Sequence, residues 1–176
     1  LLATDKITAT VMSNIGLHKH LKEYGIGVDV TKVGDRYVLE SMRETGSVLG
    51  GEQSGHMIFL NYTTTGDGVL SSLQFMKAYL DSGKKLSELR DEIQIYPQAL
   101  VNARVDNAFK ATALEDEEVK KFIADIEAKM EGTGRVLIRP SGTEPLIRVM
   151  LEGEDIDEIQ GYAKQVAALI SDKFGK

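Results

Sequence analysis

The sequence predicts an α/β protein in which an α/β/α sandwich domain is followed by a small α+β domain with an antiparallel sheet. In the first half of the 176-residue chain, short β-branched runs alternate with amphipathic helical segments. This alternation is typical of a mostly parallel sheet covered by helices. After Tyr96-Pro97-Gln98 the order of predicted strands and helices changes, because two strands joined by a tight loop lie between two long helices. We therefore predict one domain over residues 1–97 and a second over residues 98–176.

The elements of the first domain follow from local patterns. Strands are predicted where β-branched residues cluster, and helices where apolar residues recur three or four positions apart. The predicted strands are Ile7–Met12, Gly27–Val33 and Met57–Leu60, and the predicted helices are Gly16–Tyr24, Arg36–Arg43, Asp67–Leu80 and Leu86–Ile93. Asp67 is a candidate N-cap of the helix that it begins. The predicted apolar face of that helix consists of Val69, Leu73, Met76 and Leu80.

The second domain is predicted in the same way. Its strands are Ala99–Val105, Arg135–Arg139 and Leu146–Glu152, and its helices are Ala113–Met130 and Ile156–Ser171. The acidic run Glu115–Glu118 complements the positive end of a helix dipole. Asp155 and Glu158 are spaced as a capping box for the last helix.

Composition excludes several classes of protein. The chain has 21 basic and 27 acidic side chains and a formal net charge of −6, which argues against nucleic-acid binding. It has no cysteine, which excludes a disulfide scaffold, a thiolate zinc site and a cysteine nucleophile. No apolar run approaches the ~20 residues of a membrane span, and no signal-peptide pattern opens the chain. We therefore expect a cytoplasmic protein with neither a membrane nor a nucleic acid as partner.

A glycine-rich segment, Gly50–His56, lies between two apolar strands. Its glycines permit a sharp turn and a close approach of a ligand to the backbone. Glu52, Ser54 and His56 alternate, so in an extended loop they would point the same way and suit a polyhydroxylated ligand such as a sugar. The alternative is a glycine-rich hairpin whose charged side chains are simply solvated.

The segment Arg139–Pro145, followed by Arg148, has the composition of an anion site. Backbone N–H groups of a short Ser/Gly/Thr loop can form a concave nest, and the hydroxyls add donors. Arginine supplies charge and a fork that matches phosphate oxygens. The segment lacks the glycine spacing and lysine of a Walker loop. The alternative to a phosphate site is a polar hairpin turn with arginines on its strands.

A third segment, Thr31–Arg36, lies where a predicted strand ends and a helix begins. Ligands of open α/β sheets bind at the carboxyl ends of strands. Lys32 could contact a phosphate or move a proton, and Asp35 and Arg36 could organise such a site. Spacing alone favours an ordinary helix start.

Other polar residues do not form convincing sites. His18 and His20 diverge on a predicted helix and have no carboxylate at ligand spacing, so we predict no metal site in this chain. Ser141 has no histidine or carboxylate base nearby in sequence, which favours a hydroxyl donor over a nucleophile.

Three segments together resemble the α-D-phosphohexomutases: TKVGDRYV at 31–38, GGEQSGH at 50–56 and RPSGTEPLIRVM at 139–150. The resemblance covers essentially the whole chain, in the right order. The first two segments resemble the bacterial glucosamine-phosphate branch of the family. By this resemblance, the two predicted domains correspond to the third and fourth of the family's four domains, which recognise the sugar and the phosphate.

The resemblance also implies a reaction. Members of that branch interconvert glucosamine 6-phosphate and glucosamine 1-phosphate, a step toward UDP-N-acetylglucosamine. The reaction uses a phosphoserine and Mg²⁺. Its intermediate is a hexosamine 1,6-bisphosphate or glucose 1,6-bisphosphate. The implied sugar-binding residues are Glu52, Ser54 and His56. The implied phosphate-binding residues are Arg139, Ser141, Gly142, Thr143 and Arg148. Lys32, Asp35 and Arg36 would line the cleft, where they could take part in proton transfer.

The family's phosphoserine segment and Asp-rich metal loop are not found in this sequence, which starts at Leu1 rather than Met. We therefore expect a C-terminal fragment that is inactive alone. Its expected partners are a phosphosugar and the missing N-terminal domains, with a homodimer of the full enzyme as a further option. The alternatives are a free-standing phospholigand- or partner-binding module without catalysis, or a relative that acts on glucose or mannose phosphates.

Overall fold

The computed structural model describes residue 2 and residues 4–175. The chain divides into two compact units, Leu1–Ile95 and Tyr96–Lys176. Among the described residues, no helix combines the length and apolarity needed to cross a membrane.

The first unit is built on a four-stranded sheet of order β2-β1-β3-β4. Its elements are β1 (Lys6–Thr10), α1 (Ile15–Glu23), β2 (Gly27–Thr31), α2 (Asp35–Thr45), β3 (Leu49–Gly51), β4 (Met57–Phe59), α3 (Gly68–Ser82) and α4 (Leu86–Asp91). Strand β1 pairs in parallel with β2 and β3, and β4 pairs antiparallel with β3. The predicted mostly parallel sheet is confirmed, and its three parallel strands end at the same edge.

Helix α2 covers one face of this sheet. Its Val38 and Met42 are fully buried with Ile58 of β4. A Cβ at Gly50 would lie 2.6 Å from Met42 Sδ, so glycine in β3 lets the helix approach closely. Gly51, next along β3, points to the opposite face, since side chains alternate along a strand. There Gly51 lies with α1 side chains around an apolar cavity of about 610 Å³.

Helix α3 forms as predicted, but its apolar face is not buried. Asp67 is confirmed as the N-cap, because its Oδ1 accepts hydrogen bonds of 2.9 Å from the N–H groups of Val69 and Leu70. The predicted apolar face is exposed, however, with Val69 at 72% and Leu80 at 70% of full exposure. Amphipathic periodicity predicts which side of a helix is apolar, but within the described part of the chain no layer covers this side.

The second unit is built on a three-stranded antiparallel sheet of order β5-β7-β6. Its elements are β5 (Gln98–Arg104), a 3-10 turn (Asn107–Phe109), α5 (Lys110–Glu115), α6 (Glu117–Lys129), β6 (Arg135–Pro140), β7 (Leu146–Glu152) and α7 (Ile156–Phe174). The predicted fold class, an α/β domain followed by a small antiparallel α+β domain, is confirmed.

The helices of this unit cover one face of its sheet. Ile147, Val149 and Leu151 of β7 are fully buried in one cluster with Ile126 of α6 and Ile170 of α7. By strand alternation, the residues between them project from the opposite face of the sheet. That face therefore carries Arg148, Met150 and Glu152.

The predicted single helix Ala113–Met130 is wrong, because the structure divides it at Asp116. Asp116 has extended backbone angles, and its Oδ1 accepts hydrogen bonds from the N–H groups of Glu118 and Val119 at 3.1 and 3.0 Å. Short acidic side chains compete for backbone N–H groups in this way and start a new helix. The acidic run therefore spans the end of α5 and the start of α6.

Candidate functional site

The residues of the first unit that are predicted to bind the sugar or line the cleft lie in the loops that follow β2 and β3. Lys32 comes directly after β2, which ends at Thr31, and its side chain is exposed. Gly34 is the N-cap of α2 and has φ 132°, a backbone angle that favours glycine. Glu52 follows β3. Because the parallel strands end at one edge, residues from both loops can meet there.

Glu52 joins the two loops. Its Oε1 accepts a hydrogen bond of 2.9 Å from the backbone N–H of Gly34, 18 residues away in sequence. The carboxylate therefore lies at the positive end of the α2 dipole, where a negative charge is stabilised. This contact fixes the position of a side chain that the sequence identifies only as a candidate.

Residues 52–56 form a tight turn between β3 and β4, so the backbone is the glycine-rich hairpin that stood as the alternative to an extended loop. The Gly55 N–H donates to Glu52 O at 3.0 Å, and the Glu52 N–H donates to His56 O at 2.9 Å. The turn puts Glu52 and His56 side by side at its base and leaves Ser54 exposed at its tip. Antiparallel pairing of β3 with β4 requires this reversal.

His56 lies close to the start of α2. Its Nε2 is 3.9 Å from Asp35 Oδ2, beyond hydrogen-bond distance. That Nε2 atom is buried and has no hydrogen-bond partner among the described residues. The imidazole packs directly on Gly66, where an added Cβ would lie 2.3 Å from Cε1.

Arg36 is directed along its own helix rather than toward loop 52–56. Its Nε donates to Glu40 Oε1 at 2.8 Å, one turn further along α2. The hydrogen bond to Glu40 and the charge of that carboxylate raise the pKa of Arg36 above its usual value. Asp35 begins α2, and its Oδ1 accepts a hydrogen bond from the Arg36 N–H at 2.8 Å.

The residues of the second unit that are predicted to bind a phosphate surround the turn between β6 and β7. Arg139 of β6 is directly opposite Arg148 of β7, and Arg148 is directly opposite Asn102 of β5. Residues in register share one face of a sheet, with Cβ atoms about 4.5–5.5 Å apart. The three side chains therefore form a row across the face opposite the helices.

Loop 141–145, between β6 and β7, is held by its own hydrogen bonds. The Ser141 N–H donates to Leu146 O at 2.9 Å, and the Glu144 N–H donates to Ser141 Oγ at 3.1 Å. Ser141 is buried, whereas Gly142 and Thr143 are exposed. A Cβ at Gly142 would meet no atom within 4 Å, so space beside this backbone is open.

Two basic side chains contact this loop. Arg148 Nη2 lies 3.1 Å from Glu144 Oε2. Lys110, the first residue of α5, donates from Nζ to the carbonyl oxygens of Ser141 and Glu144 at 2.6 and 2.5 Å. Lys110 lies 31 residues before Ser141 and carries no local motif, so nothing in the sequence pointed to this contact.

Comparison with known proteins identifies the family. Residues 1–96 match the family model described as phosphoglucomutase/phosphomannomutase, alpha/beta/alpha domain III, and residues 100–169 match the C-terminal domain of the same family. The chain belongs to the phosphoglucomutase/phosphomannomutase family. The resemblance to the phosphohexomutases is thus confirmed.

Curated relatives in this family are more than half identical to the chain. A phosphoglucosamine mutase from Caldicellulosiruptor saccharolyticus is 55% identical over 98% of this chain and 38% of its own length. A protein of the same name from Thermoanaerobacter sp. strain X514 is 56% identical over 98% of this chain and 39% of its own length. The chain thus spans well under half the length of these relatives.

Solved phosphohexomutase structures share the fold. Aspergillus fumigatus N-acetylphosphoglucosamine mutase has a TM-score of 0.77 and 18% identity, over 95% of this chain and 38% of that one. An N-acetylglucosamine-phosphate mutase in a product complex has a TM-score of 0.72 and 21% identity, over 93% of this chain and 38% of that one. At such identities the likeness shows the fold alone.

Another structure of the Aspergillus fumigatus phosphohexomutase is a complex with GlcNAc-6P and magnesium. Within residues 2 and 4–175 of the present chain, no group of three or more His, Asp or Glu side chains is arranged to hold a metal ion. These residues therefore do not fit a resident magnesium ion.

Proposed function

We propose that this chain is the sugar- and phosphate-binding part of a phosphoglucosamine mutase, which interconverts glucosamine 6-phosphate and glucosamine 1-phosphate in the cytoplasm. Family membership and relatives of that name at 55–56% identity support the proposal. The chain spans 38% of the length of one such relative. We therefore assign the phosphoserine and the magnesium ion to domains outside this sequence, and domain limits of 1–97 and 98–176 within it.

The facing arginines of β6 and β7 are the observation that carries the phosphate assignment. Like charges placed directly opposite on a sheet destabilise it. Arg139 and Arg148 occupy such a position, and only Arg148 has an ion pair, to Glu144, among the described residues. A phosphate dianion between the two guanidinium groups would offset their repulsion and accept their bidentate hydrogen bonds. The hydroxyls of Ser141 and Thr143 and the N–H of Gly142 would complete the site.

Glu52 and His56 are assigned to the sugar. The Gly34 hydrogen bond holds the Glu52 carboxylate in place, so it can accept hydrogen bonds from ligand hydroxyls without reorganisation. An unpartnered buried nitrogen costs about 1–3 kcal/mol, and a sugar hydroxyl at His56 Nε2 would remove that cost. Ser54 is assigned a weaker contact, since it lies exposed at the turn.

These residues would serve catalysis by positioning. Phosphoryl transfer depends mainly on the alignment of reactants and on stabilisation of charge. Loop 141–145 would hold the non-reacting phosphate while the other end of the sugar meets the phosphoserine. A bisphosphate intermediate could place either of its phosphates in loop 141–145. We assign Lys32 and Asp35 to the edge of the sheet beside the sugar. There Lys32 could donate a proton to the oxygen that bridges sugar and phosphate.

Titration of the chain with glucosamine 6-phosphate and with glucosamine, followed through backbone amide resonances, tests this function. We expect shifts at residues 141–143 only with the phosphorylated sugar. Arg139→Ala and Arg148→Ala should each weaken binding by roughly 10- to 150-fold, since a hydrogen bond to a charged group contributes about 1.5–3 kcal/mol. Arg139→Ala should not destabilise the unliganded chain, because it removes a like-charge contact.

Arg90→Ala is the matched control, since it removes an exposed arginine of α4 that pairs with the neighbouring Asp91. It should leave the affinity unchanged. Unchanged affinity in the Arg139→Ala/Arg148→Ala double variant would contradict the phosphate assignment. We also expect no isomerisation by this chain alone. Full turnover would contradict the assignment of the phosphoserine to absent domains, whereas binding without turnover in any longer form of the protein would favour a binding module.

A further inference from the structure

Lys110 holds both ends of loop 141–145. Its ammonium group has three N–H donors, and two of them reach the carbonyl oxygens of Ser141 and Glu144 at 2.6 and 2.5 Å. Lys110 starts α5 and follows a 3-10 turn whose N-cap, Asp106, accepts from the Ala108 N–H at 2.9 Å. The cation is thus anchored from a different segment of the second unit.

Peptide geometry links these carbonyls to the donors of the loop. In a trans peptide the C=O and the following N–H point in opposite directions. The Ser141 carbonyl points to Lys110, so the Gly142 N–H must point away from it. At the other end of the loop the Glu144 carbonyl precedes Pro145, which has no N–H, so only the acceptor is fixed there.

Without Lys110, either carbonyl could rotate toward an anion and repel it. We propose that Lys110 is a positioning residue for loop 141–145. Its ammonium group holds the two carbonyl oxygens on the side away from a bound phosphate and so keeps the Gly142 N–H directed at that phosphate. This inference rests on the proposed phosphate site. Lys110 acts through the backbone and makes no contact with the ligand.

Lys110→Met removes the ammonium group and keeps a side chain of similar length. We expect the chain to keep its fold and to bind glucosamine 6-phosphate about tenfold more weakly or worse, with a displaced Gly142 amide resonance even before ligand is added. The loss should persist at 1 M salt, where the Debye length is about 3 Å, because hydrogen-bond geometry is not screened as a long-range charge is. Lys121→Met, on α6, is the control of equal charge change and should have no effect.

Several outcomes overturn the proposal. Unchanged affinity in Lys110→Met, or a loss that disappears at 1 M salt, contradicts a positioning role. If Lys110→Met does not fold, Lys110→Arg tests the proposal instead, because the planar guanidinium group cannot reproduce the contact of one ammonium nitrogen with both carbonyl oxygens. We then expect intermediate affinity and a shifted Gly142 resonance, and the absence of both overturns the proposal. Failure of the unmodified chain to bind any phosphosugar would instead refute the phosphate site itself.

Discussion

Replacement of Arg135 by methionine would remove the guanidinium group that contacts the buried Glu152 carboxylate. Arg135 Nε donates to Glu152 Oε2 at 2.7 Å, and the Glu152 side chain is only 1% exposed. Gln98 Nε2 donates to the other oxygen at 3.4 Å. The pair joins β6 to β7 and the amide joins β7 to β5, so all three strands meet at this carboxylate.

The expected cost follows from burial. Loss of one partner of a buried ion pair costs about 3–5 kcal/mol, because the remaining charge cannot be hydrated. The Arg135 side chain keeps 23% exposure, and Gln98 would remain as a donor, so we expect the lower end, about 3 kcal/mol. Arg135→Met/Glu152→Met removes both charges and should recover most of the loss, since apolar replacement of a buried pair is often neutral or stabilising.

Native-state hydrogen exchange of the β7 amides measures this cost within the second unit. About 3 kcal/mol corresponds to an increase of about a hundredfold in exchange rate. Lys120→Met is the matched control, because it breaks a pair of similar length, 2.6 Å to Glu115, whose side chains are 44% and 77% exposed. It should leave β7 exchange unchanged. An Arg135→Met rate within twofold of the unmodified chain, or a double variant that exchanges faster than the single one, would refute the reasoning.

Three further predictions concern other parts of the chain. Gly66→Ala places a Cβ 2.3 Å from the His56 ring, so it should displace His56 resonances and weaken phosphosugar binding while far-UV circular dichroism stays unchanged. Ile170→Ala empties a fully buried position and should lower the free energy of unfolding of the second unit by about 2–5 kcal/mol in urea titrations; a loss well below 1 kcal/mol would mean that the core repacks. The hydrogen bond from Lys173 lowers the pKa of Asp116 below its usual 3.8, so this carboxylate stabilises the fold above pH 3.8 and loses its contribution as pH falls through the lowered value. Carboxyl-carbon NMR should find that pKa below 3.8, and Lys173→Met should raise it.

Much of the fold could be predicted from local patterns. The N-cap at Asp67 and the strand pair around loop 141–145 both follow from residue type and periodicity. The break at Asp116 was missed because apolar spacing continues across it, although an aspartate in an acidic run is itself a helix-start signal. The exposed face of α3 could not be predicted, since periodicity says which side is apolar and nothing about what covers it.

By itself, the sequence determined the chemistry of each loop. A Ser/Gly/Thr turn between arginines and a Glu and a His after a glycine-rich strand are properties of residue type and of position relative to predicted strands. Only the tertiary structure decided which groups meet. Glu52 reaches the Gly34 N–H across 18 residues, and Lys110 reaches Glu144 O across 34. Such pairs depend on strand order and on where α5 packs, and these are set by burial of the whole core rather than by any local repeat.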